Sequence, residues 1–346
     1  MIRLAWRQFR SSAVIASGAL AAVCVVVVLT RVHIVDVYDA TVASCDSRGD
    51  CEAAVSAFVR LNRSLQGWLD VLVVVVPGLL GIFWGAPLVA RELEAGTFRL
   101  AWTQSVTRTR WLTTKLAVVG LAAVVVSGVL TVMVTWWSSL FDKVGENIYG
   151  AFDRRDLVPI GHATLAFMVG VTAGVVLRRT LAAMATTLVV VVATRLAFVT
   201  WVRPHLLAAK RWSGPLDPNR MGFMMESETS PMRLHSEAPR MPNAWIRSVE
   251  IVDRSGRPIT YVEQACPNLP PPGSSAGSGL RRGPVPDDVD RLLQECVAKV
   301  GERYHLAVSY QPAGRYWAFQ WLELGIYVAA SAALVGLCVW WVRRRL

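Results

Sequence analysis

The chain has 346 residues, of which 53% are hydrophobic and only 18% are charged. This composition argues against an ordinary soluble protein, because so much apolar surface cannot be buried in one core and must face lipid. The net charge of +11 does not indicate a nucleic-acid partner, since Arg and Lys lie beside the apolar segments, as they do in membrane proteins.

The N-terminal segment 1–11 is basic and amphipathic. Arg3, Arg7 and Arg10 would share one face of a helix, which predicts an interfacial helix on an anionic membrane surface. A simple positive flank to the first transmembrane helix is the alternative. A box resembling a lipoprotein cleavage site ends at Cys45 but lies well beyond the first apolar segment, so we expect a retained helix.

Six segments are apolar enough to span a bilayer, which takes about 20 residues. They are 12–31, 68–90, 115–140, 159–177, 180–202 and 317–342. Only Arg178 and Arg179 separate the fourth from the fifth, so we predict a tight hairpin there. The sequence therefore predicts an all-α polytopic membrane protein, with transmembrane helices one to five in 12–202 and the sixth, with a basic tail, in 317–346.

The distribution of charge predicts the orientation. With the N-terminus inside, the short cytoplasmic segments 1–11, 91–115, 178–179 and 343–346 are rich in Arg and Lys. The short outer segments 31–66 and 141–158 contain more acidic than basic residues. We therefore expect both termini in the cytoplasm.

The long polar segment 203–316 predicts a small α+β extracellular domain between helices five and six. Two β-rich stretches from Trp245 to Glu263 flank a turn and predict a hairpin. The stretch 266–286 is rich in Pro, Gly and Ser, which indicates a loop. A helical apolar stripe follows in 287–300, and 305–310 alternates like a strand.

Four cysteines fall in the segments predicted to be extracellular: Cys45, Cys51, Cys266 and Cys296. Two pairs fit an oxidising exterior, where disulfides persist. The sequence leaves their connectivity open, and four free thiols are the alternative.

The cytoplasmic loop 91–114 contains the strongest candidate site. Gly96 permits a break in the backbone, and Thr97 can cap a new short helix. Three side chains would share one face of that helix: Phe98, Ala101 and Trp102. Thr107 or Thr109 can cap the third transmembrane helix. Exposed aromatic residues flanked by Arg suit docking onto a partner protein; an interfacial aromatic belt is the alternative.

The stretch from Gly85 to Lys115 resembles permease subunits of the ABC-2 type, in the form found in actinobacterial exporters. In that family an acidic residue followed by Gly-Thr opens the coupling helix, which contacts the ATPase. Glu94, Gly96 and Thr97 match this pattern. The resemblance implies that the residues coupling this chain to an ATPase are Glu94, Gly96, Thr97, Phe98, Ala101 and Trp102. It also implies the ABCG-like exporter fold.

No phosphate-binding Gly-x-x-x-x-Gly-Lys-[Ser/Thr] motif occurs in the sequence, so we expect this chain to be no enzyme and to hold no cofactor. ATP and Mg²⁺ would bind to a separate ABC ATPase subunit. The resemblance implies the permease of an ABC exporter in a bacterial plasma membrane, paired with a second permease copy. Its substrate would be hydrophobic or amphipathic: a drug, lipid or peptide. The alternative is a non-transporting receptor or accessory protein whose extracellular domain binds a ligand or partner.

Two charged residues lie inside predicted spans. Arg195 in the fifth and Glu323 in the sixth are each seven residues from the outer end, about 10 Å deep. Opposite charges at equal depth predict an ion pair, because each offsets the other's desolvation. Such a pair would serve as an outer gate or, alternatively, as a fixed strut.

Two Gly-x-x-x-Gly motifs lie in the predicted spans, at Gly81 to Gly85 and at Gly170 to Gly174. Such motifs allow helices to approach closely, so we predict a packing role. Pro77 and Pro87, on either side of the first motif, are expected to kink the second span.

Overall fold

A computed structural model describes residues 2–43, 45, 51–96, 107–144, 147–217, 220–224, 233–266 and 287–345. The chain divides into two compact units. The helical unit comprises Met1–Leu207 and Tyr316–Leu346, and the strand-containing unit comprises Ala208–Arg315.

The helical unit is built from long helices. Their bounds are α1 Ile2–Tyr38, α2 Cys51–Leu80, α3 Ala86–Glu94, α4 Arg108–Lys143, α5 Val158–Leu177, α6 Thr180–Ala197, α7 Arg203–Leu206 and, at the C-terminus, α10 Tyr316–Arg345. Turns of π-helix at Asp39–Ala43, Gly81–Gly85 and Phe198–Val202 extend α1, join α2 to α3 and join α6 to α7. A 3₁₀-helix, Ile148–Arg154, precedes α5.

Six helical stretches in the described residues are long and apolar enough to cross a membrane. They are Phe9–Ala43, Ala53–Glu94, Arg108–Lys143, Ile148–Leu177, Thr180–Leu206 and Ala313–Arg344, called spans one to six below. This confirms the predicted number and order. The observed helices are longer than predicted, since polar flanks continue the helix beyond the apolar part. Residues 2–11 form the first part of α1, with no break before the apolar part of that helix. Their placement at the membrane interface stays a prediction.

Glycine contacts hold span four against span two. A Cβ atom placed on Gly85 would lie 2.5 Å from the carbonyl oxygen of Phe167, and one on Gly174 would lie 2.6 Å from that of Ala86. Gly81 and Gly170 make equally close backbone contacts across the same interface. The two predicted Gly-x-x-x-Gly motifs therefore pack against each other, which the absence of side chains allows.

The predicted hairpin between spans four and five is confirmed. Arg178 ends α5 in the left-handed conformation, at φ +57°, and its N–H donates to the carbonyl oxygen of Gly174. Arg179 is extended, and α6 begins at Thr180. One left-handed residue thus reverses the chain in the shortest possible connection.

The strand-containing unit has six strands and two α-helices among its described residues, and it ends in a 3₁₀-helix, Ala313–Arg315. The strands are β1 Lys210–Pro215, β2 Met221–Met224, β3 Arg233–Ser236, β4 Trp245–Val252, β5 Pro258–Ile259 and β6 His305–Gln311. One antiparallel sheet has the order β1-β6-β4-β5, and β2 pairs with β3. The helices are α8 Val262–Ala265 and α9 Asp287–Arg303.

The predicted hairpin of this unit forms between β4 and β5, with Ile251 opposite Ile259. Its turn is organised by Asp253, whose carboxylate accepts hydrogen bonds from the hydroxyl of Ser255 at 2.6 Å and from the N–H of Arg257 at 2.9 Å. These bonds hold the pKa of Asp253 below its usual value. Gly256 follows at φ +81°, a conformation that favours glycine.

The predicted helix α9 and strand β6 are also confirmed, and they share one core. Cys296 and Val300 of α9 are buried with Ile251, Leu306 and Val308 of the sheet. This unit begins at Ala208 rather than at 203, because α7 continues the helical path of span five.

The four cysteines outside the predicted spans form two disulfides. Cys45 is bonded to Cys51, and Cys266 to Cys296, with Cα–Cα distances of 5.7 Å in each pair. The second bond ties the end of α8 to α9. Cys24 and Cys338 remain as thiols.

Candidate functional site

The first candidate region is formed by the end of α3 and the starts of α4 and α6, and we call it the coupling end after its predicted role. Helix α3 ends because Gly96 takes the left-handed conformation at φ +70°. The N–H groups of Ala95 and Gly96 donate to the carbonyl oxygens of Arg91 and Leu93, which satisfies groups that a helix end leaves open. The predicted break at Gly96 is confirmed.

Four of the six predicted coupling residues lie outside the described residues: Thr97, Phe98, Ala101 and Trp102. The chain is described again from Thr107, which is extended and accepts a hydrogen bond from the N–H of Arg110 at 3.4 Å. Of the two predicted caps for the third span, Thr107 is therefore the one used.

Glu94 caps a helix to which it is not connected in sequence. Its Oε2 accepts hydrogen bonds from the N–H of Thr180 at 3.0 Å and from the Thr180 hydroxyl at 2.8 Å. Thr180 is the first residue of α6, and the preceding Arg179 provides no side-chain cap. A carboxylate here satisfies an open N–H and faces the positive end of the helix dipole. Glu94 therefore links span two to span five.

Glu92 links the same helix to span three. Its Oε1 lies 2.5 Å from the Nζ of Lys115, which is only 4% exposed and lies 4.9 Å from the centre of the Trp111 ring. Burying a lysine is costly without a partner, so this pair holds α3 against α4. Both acidic residues of the loop thus contact neighbouring helices.

The second candidate region is the polar clasp, defined by Asp153, Arg203 and Glu323. The Nε and Nη2 atoms of Arg203 donate to the Glu323 carboxylate at 2.9 and 3.0 Å. Its Nη1 donates to Asp153 Oδ2 at 2.9 Å. Tyr327 donates a further hydrogen bond to Glu323 at 2.9 Å. Glu323 is 0% and Arg203 6% exposed, whereas the Asp153 side chain is 22% exposed, so one guanidinium joins a fully buried and a partly buried carboxylate from different helices.

The prediction that Arg195 and Glu323 form an ion pair is wrong, because each side chain has a different partner. Arg195 instead donates to the Nδ1 atom of His162 at 3.1 Å, while Glu323 binds Arg203. The prediction placed Arg203 in the extracellular domain. In the structure, the π-helical turn and α7 carry the helical path of span five to Leu206, which brings Arg203 inside the bundle.

Gln320, one turn from Glu323, provides another contact that the sequence analysis missed. It is fully buried, and its Oε1 accepts from the N–H groups of Leu157 and Val158 at 3.0 Å each. It thereby caps the start of α5. A polar residue at helical spacing from Glu323 in an apolar segment was the available signal.

Comparison with known proteins agrees with this architecture. No curated protein and no solved structure matches the chain. The family model described as "ABC-2 membrane transporter related" matches residues 17–203, which include spans two to four, with the described end of α3, and most of spans one and five. This match covers more than half of the chain, so the chain belongs to that family and is a multi-pass membrane permease of the ABC-2 type.

Proposed function

We propose that this chain is the permease subunit of an ATP-driven ABC exporter and works with a separate ABC ATPase subunit. The observation that carries the proposal is the contact of Glu94 with Thr180. Glu94 belongs to the acidic-Gly-Thr motif that marks the ATPase-coupling segment in the family this chain resembles. Its contact connects the start of that segment directly to span five.

The contacts at the coupling end provide a route for motion. Displacement of the loop after Gly96 would move α3, to which three neighbours are attached. Glu94 holds α6, Glu92 holds α4 through Lys115, and close glycine packing holds α5. Closely packed elements transmit displacement instead of absorbing it. ATP-driven closure of the ATPases would therefore move spans two to five together.

The disulfides support an orientation with both termini in the cytoplasm. In a chain of six spans, the connections after the first and fifth spans lie on the same side. Cys45–Cys51 follows span one, and Cys266–Cys296 follows span five. Disulfides persist in oxidising compartments, whereas the Arg-rich hairpin and coupling loop suit the cytoplasm. The strand-containing unit would then be extracellular, and the membrane a bacterial plasma membrane.

A hydrophobic or amphipathic substrate, such as a drug, lipid or peptide, fits this architecture. The spans present mostly apolar side chains, which favour a solute that partitions from the bilayer. A second copy of this chain would complete the pathway, as in the exporter fold that it resembles. Each ATPase would bind ATP and Mg²⁺.

Co-expression with ABC ATPases from the same genome tests the proposal, beginning with any that a neighbouring gene encodes. We expect the two proteins to co-purify, and the double change Phe98→Ala and Trp102→Ala to abolish the association. Thr180→Val removes the hydroxyl that binds Glu94 but keeps the shape, whereas Thr180→Ser keeps the hydroxyl. We expect Thr180→Val to leave the association intact while reducing ATP hydrolysis by the complex in lipid nanodiscs, and Thr180→Ser to behave as wild type.

Failure of every co-expressed ABC ATPase to bind would contradict the proposal and favour the non-transporting receptor. Unchanged association of the Phe98→Ala, Trp102→Ala variant would refute the docking role of the loop. Equal hydrolysis by the two Thr180 variants would show that the hydrogen bond from the Thr180 hydroxyl to Glu94 transmits nothing.

A further inference from the structure

A cavity of about 290 Å³ lies between α1, α3 and α4. The residues that line it include Phe9, Ser12, Trp84, Arg91, Glu92 and Lys115. It is separate from the contact of Glu94 with Thr180, and Arg91 and Lys115 place it near the C-terminal end of span two and the N-terminal end of span three. We call it the α1–α3–α4 cavity.

One end of this cavity is cationic. Glu92 and Lys115 form a neutral pair with each other. Arg91 is exposed and forms no salt bridge with any described residue. The polar end therefore has an excess positive charge on a guanidinium, whose planar fork of N–H groups suits a phosphate.

The other part of the cavity is apolar and aromatic. Phe9 and Trp84 meet edge to face, with ring centres 4.7 Å apart and planes at 89°. Phe83 and Leu88 extend this wall, and Phe83 is 57% exposed on the membrane-spanning surface. Aromatic residues at the end of a span mark the boundary between headgroups and acyl chains. The cavity therefore has a cationic end that suits a lipid headgroup and an apolar end that suits the start of an acyl chain.

We propose that the α1–α3–α4 cavity binds an anionic membrane phospholipid, with the phosphate on Arg91 and the first part of an acyl chain against Phe9 and Trp84. The bilayer supplies this ligand at the depth where the site lies, and its charge complements the excess cation. The bound lipid would fill space between α1 and the pair α3–α4, next to the Glu92–Lys115 contact. The site stands independently of the proposed transport function.

Native mass spectrometry of the purified full chain tests the site. The protein is reconstituted in nanodiscs of phosphatidylcholine with a minor fraction of phosphatidylglycerol. It is then released from the nanodiscs in the mass spectrometer, and the phosphatidylglycerol molecules that remain bound to each protein are counted. We expect wild type to retain phosphatidylglycerol over phosphatidylcholine. Arg91→Gln should weaken that retention about tenfold, as expected for a charge-assisted hydrogen bond. Ser12→Trp should abolish it by filling the cavity without changing the charge.

Arg343→Gln is the matched control, because Arg343 is exposed and its Nε donates to Thr109 at the same end of the bundle, but it does not line the cavity. It should retain lipid as wild type does. Equal retention by wild type and Arg91→Gln would overturn the proposal, even if Ser12→Trp fails to fold. Displacement by glycerol phosphate would also overturn it, since that would identify a soluble anion as the ligand. No ATPase is present, so failure of the transport proposal leaves this result unaffected.

Discussion

Removal of the central guanidinium tests the polar clasp most directly. In Arg203→Leu, Asp153 and Glu323 lose their shared cation and the four hydrogen bonds that it donates, two to each carboxylate. Loss of one partner of a buried ion pair costs about 3–5 kcal/mol, because the remaining charge stays desolvated. Glu323→Leu should cost less, since Arg203 keeps Asp153.

The double variant Arg203→Leu, Glu323→Leu should be less destabilised than the sum of the single changes. It removes one positive and one negative charge together, so neither residue of the Arg203–Glu323 pair is left without the other. The remaining cost comes from the lost bonds of Arg203 to Asp153 and of Tyr327 to Glu323. Residues in direct contact show interaction energies of about 0.5–3 kcal/mol in such cycles. The same cycle with Arg195→Leu should give a smaller value, because Arg195 binds His162 rather than Glu323.

Thermal unfolding in detergent, followed by the loss of the monodisperse gel-filtration peak, measures these differences. A cost of about 3 kcal/mol corresponds to a fall of roughly 6–12 °C in melting temperature. A fall of less than about 2 °C in Arg203→Leu would refute the clasp. Stronger coupling of Glu323 to Arg195 than to Arg203 would refute the observed pairing and restore the pairing predicted from depth alone.

Three further results are expected. Gly170→Ala should lower the melting temperature by several degrees, because the added Cβ would lie 2.8 Å from a backbone nitrogen. Gly128→Ala is the control and should not lower it, since the atom nearest to its added Cβ is 3.9 Å away. Equal effects of the two changes would contradict the close packing of spans two and four. Gln320→Leu should destabilise the fold by about 1–3 kcal/mol by uncapping α5, and an unchanged melting curve would argue against that cap. Unfolded, non-reduced protein should bind two maleimide-polyethylene glycol groups, at Cys24 and Cys338; labelling of all six cysteines without reductant would disprove the disulfides.

Several features were predictable because they depend on local chemistry. Apolar length identifies a spanning helix, so six spans were found without tertiary information. The turn at Arg178 follows from two helices that are too long to be one. Gly96 ends α3 through its own backbone freedom. The Gly-x-x-x-Gly motifs likewise indicated close packing, although only the structure showed that each motif is the other's partner.

Partners across helices were not predictable in the same way. Depth counting matched Arg195 with Glu323, but it requires the end of each span to be known. The π-helical turn Phe198–Val202 and α7 carry helical geometry past the apolar segment, and Arg203 reaches Glu323 instead. Glu94 was assigned to the coupling motif, whereas its contact with Thr180 depends on how spans two and five meet.

The sequence by itself determined that this protein has six membrane spans and a separate strand-containing unit, because apolar length and alternating strands are encoded within each segment. Only the tertiary structure decided which charges meet and which cysteines pair, and it alone revealed the cavity beside Arg91. These features join residues up to 120 positions apart, as Arg203 and Glu323 are. Their geometry depends on helix rotation and register, which periodicity within one helix leaves open.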